Sequence, residues 1–165
     1  MKSFLTTIAK IVLVSAIGLA GCKQSMVISR VDYSQSIESV LKPDQNGMVE
    51  DVQHGLKFSI MPLQYAETQD TSSVTTKQIR YIRGAEGYYY ITAPDYKNVY
   101  VMAPQKDRLR LEKKIQVSNN GVQKPAFNQR TSYIQLLDRK SGESWRLNAK
   151  GIQKEEKQMA KNEGK

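Results

Sequence analysis

From Gly55 onward the chain is organised by alternation of apolar and polar positions. Leu56, Phe58 and Ile60 alternate with Lys57 and Ser59 until Pro62 interrupts. Successive side chains of a strand point to opposite faces, so a period of two marks a half-buried strand. Further strands are predicted over 75–83, 88–92 and 98–103, closed by Gly84-Ala85-Glu86-Gly87, by Ala93-Pro94-Asp95 and by Pro104. The clearest alternation lies between Arg108 and Ser118. There Leu109, Leu111, Ile115 and Val117 share one predicted face, with Lys113 the exception, and Arg108, Arg110, Glu112, Lys114 and Gln116 the other. Asn119-Asn120-Gly121 opens a loop that includes Pro125. Residues 131–137 and 144–149 flank the polar stretch from Asp138 to Glu143 as a hairpin. In its second arm Trp145, Leu147 and Ala149 face inward, and Ser144, Arg146 and Asn148 outward.

The N-terminal third reads differently. Residues 26–33 predict a short strand. Asp32 with Gln35 three residues on has the capping-box spacing, and Ile37, Val40 and Leu41 share a helical face. Lys42-Pro43 ends that segment, because the residue before proline is driven out of the α region. A two-turn helix is expected there, followed by a turn at Asp44-Gln45-Asn46-Gly47. Beyond Gly151 the chain has no aromatics and too few apolar residues for a core, so 151–165 is expected to be a disordered or frayed helical tail. Seven or eight short strands with turn residues between them predict an all-β, mainly antiparallel fold. The expectation is a small sandwich or barrel-like domain over 26–150, with one short N-terminal helix and a polar C-terminal tail.

Residues 1–21 are set apart. Lys2 and Lys10 precede an apolar run from Ile11 to Ala20, and no acid occurs before Asp32. The run is about half of the ~20 residues that span a bilayer as a helix, and a basic start before a short apolar stretch is the layout of a secretory signal. It ends in Leu19-Ala20-Gly21-Cys22. This resembles the lipobox of bacterial lipoproteins. The resemblance implies cleavage before Cys22 and lipid on its thiol, with small residues at Ala20 and Gly21 giving the peptidase access. Two or three acyl chains at about 0.8 kcal/mol per buried methylene hold a protein on a membrane stably. Lys23 stands where an aspartate would imply inner-membrane retention, so the resemblance favours the outer membrane. The tether, 22–25, would extend only about 13–14 Å.

Composition narrows the partners. Of 165 residues, the 144 left after removal of the first 21 suit one domain with a real core. With Cys22 lipidated, no cysteine remains for a disulfide or for metal ligation. The chain carries 25 basic and 16 acidic residues; loss of Lys2 and Lys10 takes its charge from +9 to +7. In an exported protein such an excess points to anionic lipid or cell-wall polymer rather than nucleic acid.

Catalytic chemistry is scarce in the sequence. His54 is the single histidine, with no second one at ligand spacing, so neither a metal nor a cofactor is expected. Glu50 and Asp51 are adjacent, which on a strand sends them to opposite faces and spoils them as a carboxylate pair. Serine-nucleophile and phosphate-loop motifs are absent. Six of the nine tyrosines lie between Tyr81 and Tyr100. Tyr88, Tyr89, Tyr90, Tyr96 and Tyr100 with Arg80 and Arg83 form a candidate binding surface, tyrosine and arginine being favoured at hot spots. Equally, tyrosine is a good strand former that packs across strands. The expected function is a membrane-anchored, non-enzymatic binding or accessory module for another envelope component, a protein before a glycan. The alternatives are a structural subunit of an envelope assembly and a cell-wall enzyme.

Overall fold

The computed structural model describes residues 37–153, all within one compact unit. The expected strand over 26–33, the signal segment with Cys22, and most of the tail lie outside the described residues. Among the described residues eleven strands and one helix follow in order. They are β1 (Ser39–Leu41), β2 (Met48–Asp51), β3 (Leu56–Ser59), α1 (Met61–Thr68), β4 (Ile79–Arg83) and β5 (Tyr89–Thr92). Then come β6 (Asn98–Pro104), β7 (Leu109–Gln116), β8 (Pro125–Gln129), β9 (Ile134–Asp138), β10 (Ser144–Asn148) and β11 (Gly151–Ile152).

Every pairing is antiparallel, and no sheet closes into a barrel. Five strands form a central sheet in the order β1-β4-β5-β6-β7, four form a second in the order β11-β10-β9-β8, and β2 and β3 form a hairpin. The domain is a small sandwich-like β fold. One face of the central sheet packs on the second sheet through Ile82, Tyr90, Val99, Val101 and Ile115 against Phe127, Ile134, Leu136 and Leu147. The other face carries Ile79, Tyr81, Ile91 and Tyr100 against Val49 of β2, Ile60 just before α1 and Leu63 of α1. With both faces covered, the central strands are buried at successive positions instead of alternate ones.

Several expectations are corrected. The segment expected to be helical around Ile37–Leu41 is instead β1, paired Ser39 to Tyr81 and Leu41 to Ile79. Ile37 is 85% exposed, so the supposed helical face has nothing to pack on and the ladder to β4 wins. The helix lies elsewhere, in α1, where Pro62 occupies the first turn. A proline there starts a helix because its missing N–H would have had no intrahelical partner. The loop expected to hold Pro125 becomes β8, with proline at its first position, where no ladder donor is needed. The tail expected from 151 begins with β11, which pairs Ile152 with Leu147.

The largest correction concerns β7. A bulge opposite Val101/Met102 makes Leu111 the partner of Met102, while Lys113 partners Val101. One extra residue flips every side chain beyond it to the opposite face. Leu109 therefore packs with Tyr89 and Met102 on the α1 side, and Ile115 and Val117 pack toward the second sheet. The four residues do not share a face.

Candidate functional site

The flip in β7 leaves part of the α1-side face of the central sheet uncovered. The β2–β3 hairpin and α1 cover this face as far as the start of β6, where Tyr100 meets Glu67 of α1, but leave the tip of the β6–β7 hairpin open. What remains is an open cleft of about 770 Å³, within the roughly 300–1,000 Å³ of typical ligand sites. Its floor is Tyr89, Ile91, Met102, Leu109 and Leu111; Leu56 and Phe58 of β3 and Pro62 and Leu63 of α1 form the wall. Leu111 is 50% exposed. The rim is charged, with Lys57 and His54 on one side and Lys106-Asp107-Arg108 in the β6–β7 turn on the other. Lys57 pairs with Glu50 at 3.0 Å and Arg108 with Asp107 at 2.9 Å.

His54 is placed by Asp51. The carboxylate of Asp51 is 7% exposed. Its Oδ2 accepts from the Tyr81 hydroxyl at 2.6 Å and the Ser39 hydroxyl at 2.7 Å, and lies 3.0 Å from His54 Nδ1. Its Oδ1 accepts the His54 backbone N–H at 3.1 Å. The hydrogen bond from Tyr81 holds the Asp51 carboxyl well below the usual carboxylate range against the opposing cost of burial, with Ser39 and His54 adding to the effect. Burial, and then the bond to Asp51, pushes the Tyr81 hydroxyl up. An ionised carboxylate only accepts, so Nδ1 of His54 carries the proton and Nε2 is the nitrogen left for another partner. The arrangement orients His54 on the cleft rim and ties β1, β2 and β4 together. Among the described residues, no group of three or more His, Cys, Asp or Glu side chains is placed to hold a metal ion.

The tyrosine-rich window does not form the expected outer surface. Tyr90, Tyr96 and Tyr100 are buried at 0%, 4% and 1% exposure. Tyr89 and Tyr90 leave the strand on opposite faces, one to the cleft floor and one into the sandwich core, where Tyr88 packs at the margin. The Tyr96 hydroxyl shares a hydrogen bond with Thr76 at 2.9 Å. The Tyr100 hydroxyl donates to Glu67 of α1 at 2.7 Å. Arg83 lies over the Tyr89 ring, 5.8 Å from its centre, whereas Arg80 is 9% exposed and bonded to Glu38. These side chains serve packing on both faces of one sheet, the ordinary role of tyrosine in strands. Of the seven residues, Tyr89 alone reaches the cleft.

The cleft itself was not visible in the sequence. Its signal was the apolar pair Leu109 and Leu111, which the regular alternation of β7 assigned to the core.

The fold and cleft define an antiparallel β-sandwich-like domain with one open apolar site. No family model matches the chain, nor does any curated protein or any solved structure. Among the described residues, no helix is long and apolar enough to cross a membrane.

Proposed function

We propose that this chain is a lipid-anchored envelope protein, held at the outer membrane through Cys22, whose β domain is a non-enzymatic binding module. The cleft between α1 and the β6–β7 hairpin receives an apolar segment of an envelope protein. The supporting observation is the solvent-open apolar floor, on which Leu111 is half exposed. Burying the exposed half of this side chain against a partner contributes about 1 kcal/mol, which a free domain forgoes. The charged turn at Lys106–Arg108 and the Asp51-oriented His54 supply polar contacts around that floor, the arrangement of an apolar anchor inside a polar rim.

Co-purification from detergent-solubilised membranes tests this reading. Wild type is expected to retain a defined envelope partner. Leu111→Asp, a change at a half-exposed position, should fold with the same circular dichroism and lose that partner. Cys22→Ala should leave the membrane fraction. A Leu111→Asp protein that keeps the partner would remove the cleft from the account, and a Cys22→Ala protein that stays membrane-bound would remove the anchor.

A further inference from the structure

A second pocket, separate from the cleft, lies where β4 meets the start of β8. It encloses about 480 Å³ and is lined by Arg80, Lys124 and Arg139 with two glutamines and two prolines, and by no carboxylate. We propose that it is an oxyanion site for a phosphate group, carried either by free phosphate or by a lipid headgroup.

Arg80 carries the argument. It sits mid-strand in β4, paired to Val40 on one side and Thr92 on the other, and is 9% exposed. Its Nη1 donates to Glu38 Oε1 at 2.6 Å. The second oxygen of Glu38 accepts the Phe127 N–H of β8 at 2.9 Å, so Glu38 fixes the guanidinium between the two sheets. Nε of Arg80, on the other edge of the planar fork, is buried without a partner. A buried donor left unmade costs about 1–3 kcal/mol, and the fork geometry of a guanidinium matches two oxygens of a phosphate.

The other two cations are held by a built backbone rather than by chance proximity. Asp138, 4% exposed, accepts the N–H groups of Gln123 at 3.1 Å, Lys124 at 3.0 Å and Lys140 at 2.9 Å. The Arg139 N–H donates to the Lys124 carbonyl at 2.9 Å. These bonds lock the strand entry and the β9–β10 turn together, so Lys124 and Arg139 sit over the same pocket as Arg80. Among the described residues neither forms an ion pair with a carboxylate. Glu38 and Asp138 stand behind the lining and offset two of its three charges, so the pocket keeps one positive charge in excess, which favours an anionic phosphate group.

Isothermal titration of the full chain in neutral detergent tests the site with inorganic phosphate, short-chain phosphatidic acid and short-chain phosphatidylcholine. Binding of inorganic phosphate and phosphatidic acid, with phosphatidylcholine inert, supports a site that reads the phosphate whatever its carrier. Binding of phosphatidic acid alone supports the same site with the lipid headgroup as its source. The exposed Lys124→Gln/Arg139→Gln double variant should weaken binding by about tenfold or more. Arg80→Lys, whose folding depends on Glu38, is replaced in this test by that double variant. Leu111→Asp in the cleft should leave phosphate binding unchanged. The proposal is overturned if neither phosphate ligand binds more tightly than about 10 mM, or if the double variant binds as wild type does.

Discussion

Asp51 shows how one residue can join three strands and position a fourth group. It accepts from Tyr81 and Ser39 while orienting His54, and its folded carboxyl lies below the ordinary value. A depressed carboxylate contributes stability that is fully present above the unfolded-state value, roughly pH 4, and is lost as pH falls through the folded value. Thermal melts of wild type and Asp51→Asn should therefore converge as pH drops from 5 toward 2. Equal pH slopes for the two proteins would show that Asp51 is not ionised by this network. At pH 7 Asp51→Ala should cost about 2–3 kcal/mol in denaturant titrations, because the buried Tyr81 hydroxyl loses its acceptor. Some of this was legible in the sequence: adjacency sent Glu50 and Asp51 to opposite faces, though without saying which of them faced inward. The partner was not, since Tyr81 lies 30 residues away and nothing local announces it. The tyrosines taught the same lesson. Strand spacing said that Tyr89 and Tyr90 must diverge, yet whether either face met solvent depended on layers contributed by distant segments.

At the scale of elements, turns and hairpins were the most readable features. Gly87 adopts a positive φ of 88° in the β4–β5 turn and Gly142 one of 80° in the β9–β10 turn, both where Gly-containing polar stretches stood in the sequence. Glycine at 121 has a second requirement: at φ 86° a Cβ would collide with the carbonyl oxygen of Asp95. Elements held by tertiary bonds were unreadable. In α1, Gln64 is fully buried. Its amide donates to the Asp70 and Ser73 carbonyls and accepts from the Thr75 and Thr76 N–H groups. Gln64→Leu should destabilise the domain by about 2–3 kcal/mol by orphaning those backbone groups. Hydrogen exchange at Thr75 and Thr76 should accelerate more than in the central strands; uniform acceleration would mean that Gln64 does not pin this loop specifically. The bulge in β7 left one trace in the sequence, the break in alternation at Lys113, since an inserted residue otherwise keeps the letters alternating while reversing the faces they occupy. Together with Arg110, Lys113 and Lys114 on this outer strand of the sheet, it also guards an edge that could otherwise pair with another chain.

At the scale of the whole molecule, fold class followed from strand number and turn spacing, but layering did not. The four-stranded sheet on one side and the α1-bearing layer on the other bury both faces of β4, β5 and β6, which is why apolar residues stand at successive positions in β5 and β6. Among the places that layering leaves open are the apolar cleft beside β7 and the cationic pocket between β4 and β8. In the proposed reading the first takes a partner's apolar segment and the second a phosphate, both of which a protein tethered at a membrane would meet. Site-specific photocrosslinking in intact envelopes tests the central claim most directly, with the reactive side chain placed at Leu111 in the cleft and, as control, at exposed Lys140 in the β9–β10 turn. The account predicts a discrete crosslinked protein of one mass from position 111 and none from position 140. No crosslink from 111, or the same pattern from both positions, would contradict it.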